Sequence, residues 1–134
     1  MSKILILLMT MALFLSGCGV KAETEQKVEQ NMYKQITAEE AKKMMEEQEE
    51  ILILDVREQS EYNEGHIPGA VLLPVGTISE DTAAAVIEYK DTTALVYCRS
   101  GNRSKTAAGL LAELGYTQIY EFGGIRDWPY EIEK

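Results

Sequence analysis

The sequence has few cysteines, a shortage of positive charge and no apolar stretch long enough to span a bilayer. Only Cys18 and Cys98 occur, in unrelated contexts, so they are not expected to pair and a disulfide framework is not expected. Lysine and arginine number 13 against 22 acidic residues, for a net charge of -9. A nucleic-acid partner is therefore excluded, because neutralising phosphates needs a basic face. The acidity fits an ordinary solvated surface. The longest apolar run, Ile4 to Leu15, covers 12 residues, where a spanning helix needs about 20. A length of 134 residues suits one compact domain and is short for two.

What is present begins with that run. It follows a basic start, Met1-Ser2-Lys3, and has no polar face, so it reads as a secretory signal peptide rather than an amphipathic helix of the fold. It ends in Leu15-Ser16-Gly17-Cys18, which resembles the bacterial lipoprotein box. The resemblance implies cleavage before Cys18 and acylation of that cysteine. More than one acyl chain gives stable anchoring where one gives only marginal binding. Residues 1–17 are thus expected to be a lipoprotein signal peptide, and 18–33 a lipidated, polar tether. Residues 34–134 are expected to form the folded domain, held on the extracytoplasmic side of a bacterial membrane.

In the domain, Thr37-Ala38-Glu39-Glu40 has the form of a capping box opening a helix that ends near Gln48. Ile51-Leu52-Ile53-Leu54 reads as a buried strand with Asp55 at its end, and a short helix is expected over Glu58 to Glu64, closed by Gly65. Val71-Leu72-Leu73 reads as a strand stopped by Pro74, and Ser79 to Tyr89 as an alanine-rich helix. Ala94 to Tyr97 reads as another buried strand. A helix from about Asn102 to Leu114 follows, capped by Gly115. Gln118 to Phe122 is expected to be a strand, Gly123-Gly124 a turn, and Trp128-Pro129 part of a last short helix or loop. Strands alternating with helices imply an α/β fold, a three-layer domain with a central parallel sheet and helices on both faces. Sites in such sheets form at the carboxyl ends of the strands, where Asp55 and Cys98 both lie.

The segment Cys98-Arg99-Ser100-Gly101-Asn102-Arg103-Ser104 joins a buried strand to a helix. Backbone N–H groups of such a loop turn toward one point, and the helix N-terminus adds partial positive charge there. Arg99 and Arg103 add full charges if they point inward. A cysteine at that cradle has a lowered pKa and acts as a nucleophilic thiolate. Gly101 permits positive φ and close backbone approach. A core cysteine merely ending a strand would need neither two arginines nor a glycine beside it.

Four stretches in order resemble the rhodanese family. They are Leu54-Asp55-Val56-Arg57 with Glu61-Tyr62, Gly65-His66-Ile67-Pro68-Gly69-Ala70, Val96 to Ser104, and Gly123-Gly124 with Trp128. The resemblance covers about residue 34 to the C-terminus. It implies a sulfurtransferase in which Cys98 takes the outer sulfur of thiosulfate, or of a similar small anionic donor, as a persulfide and passes it to a thiol or other nucleophilic acceptor. It implies that the amides of Arg99 to Ser104 stabilise the persulfide, that Arg103 steadies the loop or the donor's oxyanion end, and that Arg99 is a second donor contact. Asp55, Arg57 and His66 are implied to be structural supports, with Asp55 capping loop amides, Arg57 paired to Glu61, and His66 fixing the loop rather than acting as a base. No metal and no cofactor are expected.

Three other readings compete. A Cys-dependent phosphatase or arsenate reductase uses a Cys-x5-Arg loop, whereas Cys98 to Arg103 is Cys-x4-Arg, one residue shorter. The shorter loop leaves room for a sulfur atom and crowds a phosphate. A non-catalytic binding module is disfavoured by the retained cysteine. A persulfide carrier fed by a protein partner uses the same residues as the enzyme.

Overall fold

The computed structural model describes residues 32–134. The expected signal peptide, the lipidation site Cys18 and nearly all of the tether lie outside the described residues. Tyr33, assigned to the tether from sequence, packs against the core.

Five strands form one sheet in the order β1-β5-β4-β2-β3, and every pairing is parallel. The strands are β1 (Lys34–Gln35), β2 (Leu52–Asp55), β3 (Val71–Leu72), β4 (Ala94–Cys98) and β5 (Ile119–Gly124). The helices are α1 (Ala38–Glu47), α2 (Gln59–Glu64), α3 (Glu80–Val86) and α4 (Asn102–Glu113). The expected α/β architecture is thus present. The short edge strand β1 has no hydrophobic alternation that would announce it in the sequence; both of its residues are exposed.

The central strand β4 is buried along its whole length, and its alternating side chains divide the core in two. Ala94, Val96 and Cys98 join Leu54, Val56, Ala107, Ala108 and Leu111 on the face covered by α3 and α4. Leu95 and Tyr97 join Ile53, Ala41, Phe122 and Trp128 on the face covered by α1. Fully burying a leucine such as Leu111 stabilises by roughly 1.5–3 kcal/mol. At the start of α1 the capping box is complete. The Thr37 hydroxyl accepts from Glu40 N at 3.1 Å, and Glu40 Oε2 accepts from Thr37 N at 2.8 Å.

Two expected boundaries shift. The alanine-rich helix α3 ends at Val86 rather than near Tyr89. Gly123-Gly124 is not a turn but the end of β5. Val96 pairs with Glu121, and Cys98 with Gly124, so β5 carries one residue more than β4 between those pairs. That bulge, with Gly123 at φ 89°, carries the strand on until Gly124 lies beside Cys98.

Candidate active site

Cys98 is the last residue of β4, 1% exposed, and its side chain lies on the α4 side of the sheet. Three residues turn the chain from β4 into α4. Gly101 caps α4 at φ 106°, ψ -12°, a left-handed conformation that costs a residue with a Cβ about 1–2 kcal/mol. The turn carries Gly101 N–H to 3.0 Å from Cys98 Sγ. The first turn of α4 has neither an acidic residue nor a capping side chain, so the sulfur occupies the place where a helix N-terminus accepts an anion.

The thiol responds to this setting. Burial pushes its pKa up, but hydrogen bonding with the Ser104 hydroxyl and with the amides of Ser104, Gly101 and Ser100 outweighs it, leaving it below its ordinary value. The loop is held from behind by the end of β5 and the turn that follows it. Arg126 N donates to Arg99 O at 3.1 Å, and a Cβ on Gly124 would overlap the Arg99 carbonyl. Only glycine permits that approach.

The loop side chains point in different directions. Arg99, Ser100 and Asn102 are exposed. Arg103 is engaged by Glu61 of α2, Nη1 to Oε1 at 2.7 Å and Nη2 to Oε2 at 2.9 Å. The expected pairing of Arg57 with Glu61 is thereby corrected: Arg103 holds both carboxylate oxygens. Hydrogen bonding by Arg103 pulls the Glu61 pKa down to about 2, against a smaller opposing effect of burial. Ser104 is fully buried, with Oγ 3.4 Å from Cys98 Sγ and 2.6 Å from Glu121 Oε1.

Arg57 instead binds Asp55, with Nε to Oδ1 at 3.0 Å and Nη2 to Oδ2 at 2.7 Å, and Nη2 also donates to Gly65 O at 2.7 Å. Asp55 Oδ1 accepts from Arg57 N at 3.0 Å, and Oδ2 accepts from the Tyr97 hydroxyl at 2.7 Å. Tyr97 in turn accepts from Ile67 N at 3.0 Å. Burial drives the Tyr97 hydroxyl far above its ordinary pKa, so it stays a donor to Asp55. Because Tyr97 and Cys98 are consecutive strand residues, this network lies on the opposite face of the sheet from the thiol. His66 stacks on Tyr62 at 3.8 Å between ring centroids, and its Nδ1 is 3.0 Å from Tyr62 O. Its backbone exchanges two hydrogen bonds with Glu133, each 2.8 Å. None of these contacts is with the loop from Cys98 to Ser104.

Sequence reasoning missed Glu121, which is 3% exposed and sits beneath the loop. Its signal was an acidic residue sharing a strand face with Ile119. Among the described residues, no three His, Cys, Asp or Glu side chains converge as a metal site.

The family model for the rhodanese-like domain matches residues 37–130. The chain belongs to the rhodanese-like family. This rhodanese-like chain is 38% identical over 74 residues to thiosulfate sulfurtransferase PspE of Escherichia coli, covering 55% of its own length and 70% of the relative's. It is 37% identical over 98 residues to thiosulfate sulfurtransferase GlpE of Coxiella burnetii, covering 72% and 88%. These similarities place it among rhodanese-like enzymes. The putative sulfur carrier protein YrkF of Bacillus subtilis is 34% identical over 100 residues, and the match spans 74% of this chain and 52% of that protein. Among solved structures, an Escherichia coli rhodanese with anions superposes at a TM-score of 0.57 with 34% identity, covering 63% of this chain and 98% of that one. A Bacillus halodurans protein superposes at 0.67 with 27% identity, covering 84% and 85%.

Proposed function

We propose that this protein is a sulfurtransferase that loads a sulfane sulfur onto Cys98 from thiosulfate or a similar donor and hands it to a nucleophilic acceptor. In the first half-reaction the Cys98 thiolate attacks the outer sulfur of the donor. The donor's S–S bond breaks and sulfite leaves with the electron pair. In the second, the acceptor attacks the outer sulfur of the persulfide, and the Cys98 thiolate is the leaving group. The observation that carries this reading is the Gly101 N–H at 3.0 Å from Sγ, inside a glycine-capped strand-to-helix loop. Amides so placed stabilise the anionic sulfur of both thiolate and persulfide. With both prongs on Glu61, Arg103 acts mainly as a brace for the loop, and exposed Arg99 is the cation free to meet an anionic donor.

The deciding experiment is intact mass after incubation with thiosulfate, beside a Cys98→Ser control, with thiocyanate release in cyanide read from the same samples. A gain of one sulfur atom with turnover supports the enzyme, and no gain by the reduced, folded protein overturns it. A second reading, a persulfide carrier fed by a protein partner, draws on the likeness to a relative named a putative sulfur carrier. A sulfur gain without turnover favours the carrier.

The reading includes export. The apolar run before Leu15-Ser16-Gly17-Cys18 supports lipid anchoring at Cys18 on the extracytoplasmic side of a bacterial membrane. Metabolic labelling with a fatty acid checks this: label is expected on the chain and lost in Cys18→Ala, and an unlabelled native chain overturns it.

A further inference from the structure

Among the described residues, Glu121 is the one acid buried directly beneath the loop, and the sulfur-transfer steps leave it without a role. It stands on β5 and faces α4, between Cys98's neighbour Ser104 and the bulge of its own strand. Its Oε1 accepts from Gly123 N at 2.7 Å and from Ser104 Oγ at 2.6 Å. Ser104 Oγ also lies 3.0 Å from Gly101 O and 3.3 Å from Gly123 O, but a hydroxyl has one proton to donate. The shortest contact, to a carboxylate oxygen, holds that proton. The Ser104 oxygen then presents a lone pair to Cys98, whose S–H donates to it at 3.4 Å. The three side chains form a chain of donors of uniform direction, from Cys98 through Ser104 to Glu121.

This direction has a chemical consequence. If Cys98 lost its proton to solvent while the chain kept its direction, the new thiolate would face a serine lone pair. If Ser104 turned its proton to the thiolate, Glu121 would lose its donor. One hydroxyl proton cannot serve both anions.

We propose that Glu121 accepts the Cys98 proton through Ser104, and is a positioning and proton-storing residue for the sulfur reaction proposed above, on which this inference rests. The Cys98 S–H bond breaks as a new Ser104 O–H bond forms. The former Ser104 proton passes to Glu121. Thiol and carboxylate become thiolate and carboxylic acid, with no change in total charge and no co-reactant. Every group is then satisfied in the reversed direction: Glu121 donates to Ser104, and Ser104 and the Gly101 amide donate to the thiolate. Of the charged groups around the chain, Arg103 acts on Cys98 from α4 while paired to Glu61. Arg99 in the loop, Lys34 on β1, Lys105 on α4, and Arg126 and Asp127 after β5 are exposed. Glu121 is therefore the acid positioned to exchange a proton with the thiol.

The test is thiolate absorbance at 240 nm against pH in the full chain and in Glu121→Gln, with Cys98→Ser as the blank that removes any contribution of Cys18. A glutamine keeps an oxygen for Gly123 N and Ser104 but cannot take a proton. The pH dependence of the thiolate absorbance is expected to differ between the unaltered chain and Glu121→Gln, because the relay gives the Cys98 proton a second place to rest. Sulfur loading from thiosulfate at neutral pH is expected to slow at least tenfold in Glu121→Gln and in Ser104→Ala, with recovery toward alkaline pH where solvent removes the proton. Superimposable titrations, with loading within twofold in a folded Glu121→Gln, overturn the relay. Absence of loading in the unaltered chain instead overturns the sulfurtransferase reading, while the titration still decides whether Cys98 and Glu121 share a proton.

Discussion

Arg103, one residue into α4 from its first position, grips Glu61 of α2 through both guanidinium prongs, at 2.7 and 2.9 Å. Two parallel N–H···O bonds fix angle as well as distance. The pair therefore ties the first turn of the helix behind Cys98 to the segment that follows β2. It also turns an arginine of the loop away from the role of a free cation.

Replacing Glu61 by Gln tests that tie. Side-chain exposures of 34% and 24% leave the pair partly screened, so the expected loss is about 1 kcal/mol at neutral pH. The folded-state pKa lies below the ordinary value of 4.5, at about 2. Such a group stabilises the fold fully above its unfolded pKa, and the contribution fades as pH falls through the folded value. Urea unfolding of both proteins should thus differ at pH 6 and converge near pH 2. An undiminished difference at the lowest pH would show that Glu61 acts through packing instead.

The lowered thiol pKa has local causes, the Ser104 hydroxyl first and then the amides of Ser104, Gly101 and Ser100. Alkylation rate against pH, with Cys98→Ser as blank, should rise with a midpoint below the ordinary 9.0. Gly101→Ala forces a Cβ into a left-handed conformation at a cost of about 1–2 kcal/mol. Relief of that strain moves the Gly101 amide from the sulfur, so the midpoint should rise. An unmoved midpoint would assign the shift to Ser104 and the remaining amides.

Two glycines give opposite expectations for the same substitution. A Cβ on Gly124 meets the Arg99 backbone carbonyl, which has no flexible end to yield. Gly124→Ala should destabilise by about 1–3 kcal/mol, as overpacking does, and disturb sulfur loading. Gly109 is inside α4 and a Cβ there meets nothing within 4 Å. Gly109→Ala should stabilise by about 0.5–1 kcal/mol by restricting the unfolded chain. Thermal unfolding of the two variants is the check, with shifts of opposite sign expected.

The legibility of this chain followed the reach of local signals. Capping at Thr37, the apolar runs of β2 and β4, and the loop from Cys98 to Ser104 are each written within a few residues. They gave the α/β sheet and placed Cys98 at a strand end. The partner of Arg103 was not legible, because Glu61 lies 42 residues away and Arg57 was the nearer cation. Gly123-Gly124 carried an ordinary turn signal, but pairing with β4 absorbed it as a bulge. Glu121 was missed because its burial comes from the packing of α4 on β5. In each case a tertiary neighbour overrode a local preference. Nor does a strand-end position reveal a face, so Asp55 and Cys98 seemed to belong to one site while lying on opposite sides of the sheet.

That separation makes the last prediction. Asp55 is fully buried and satisfies Arg57, Tyr97 and, through Tyr97, the Ile67 amide. Asp55→Asn removes the charge that neutralises a buried guanidinium, which typically costs about 3–5 kcal/mol. The hydrogen bonds that set the thiol pKa come from Ser104, Gly101 and Ser100, all on the other face. Stability in urea should therefore fall steeply while the alkylation midpoint of Cys98 stays where it is. A midpoint that moved with Asp55→Asn, in protein still folded by circular dichroism, would mean that β4 transmits strain from Tyr97 to its neighbour. Asp55 would then be part of the machinery of the thiol rather than a support for the segment from Gly65 to Ile67.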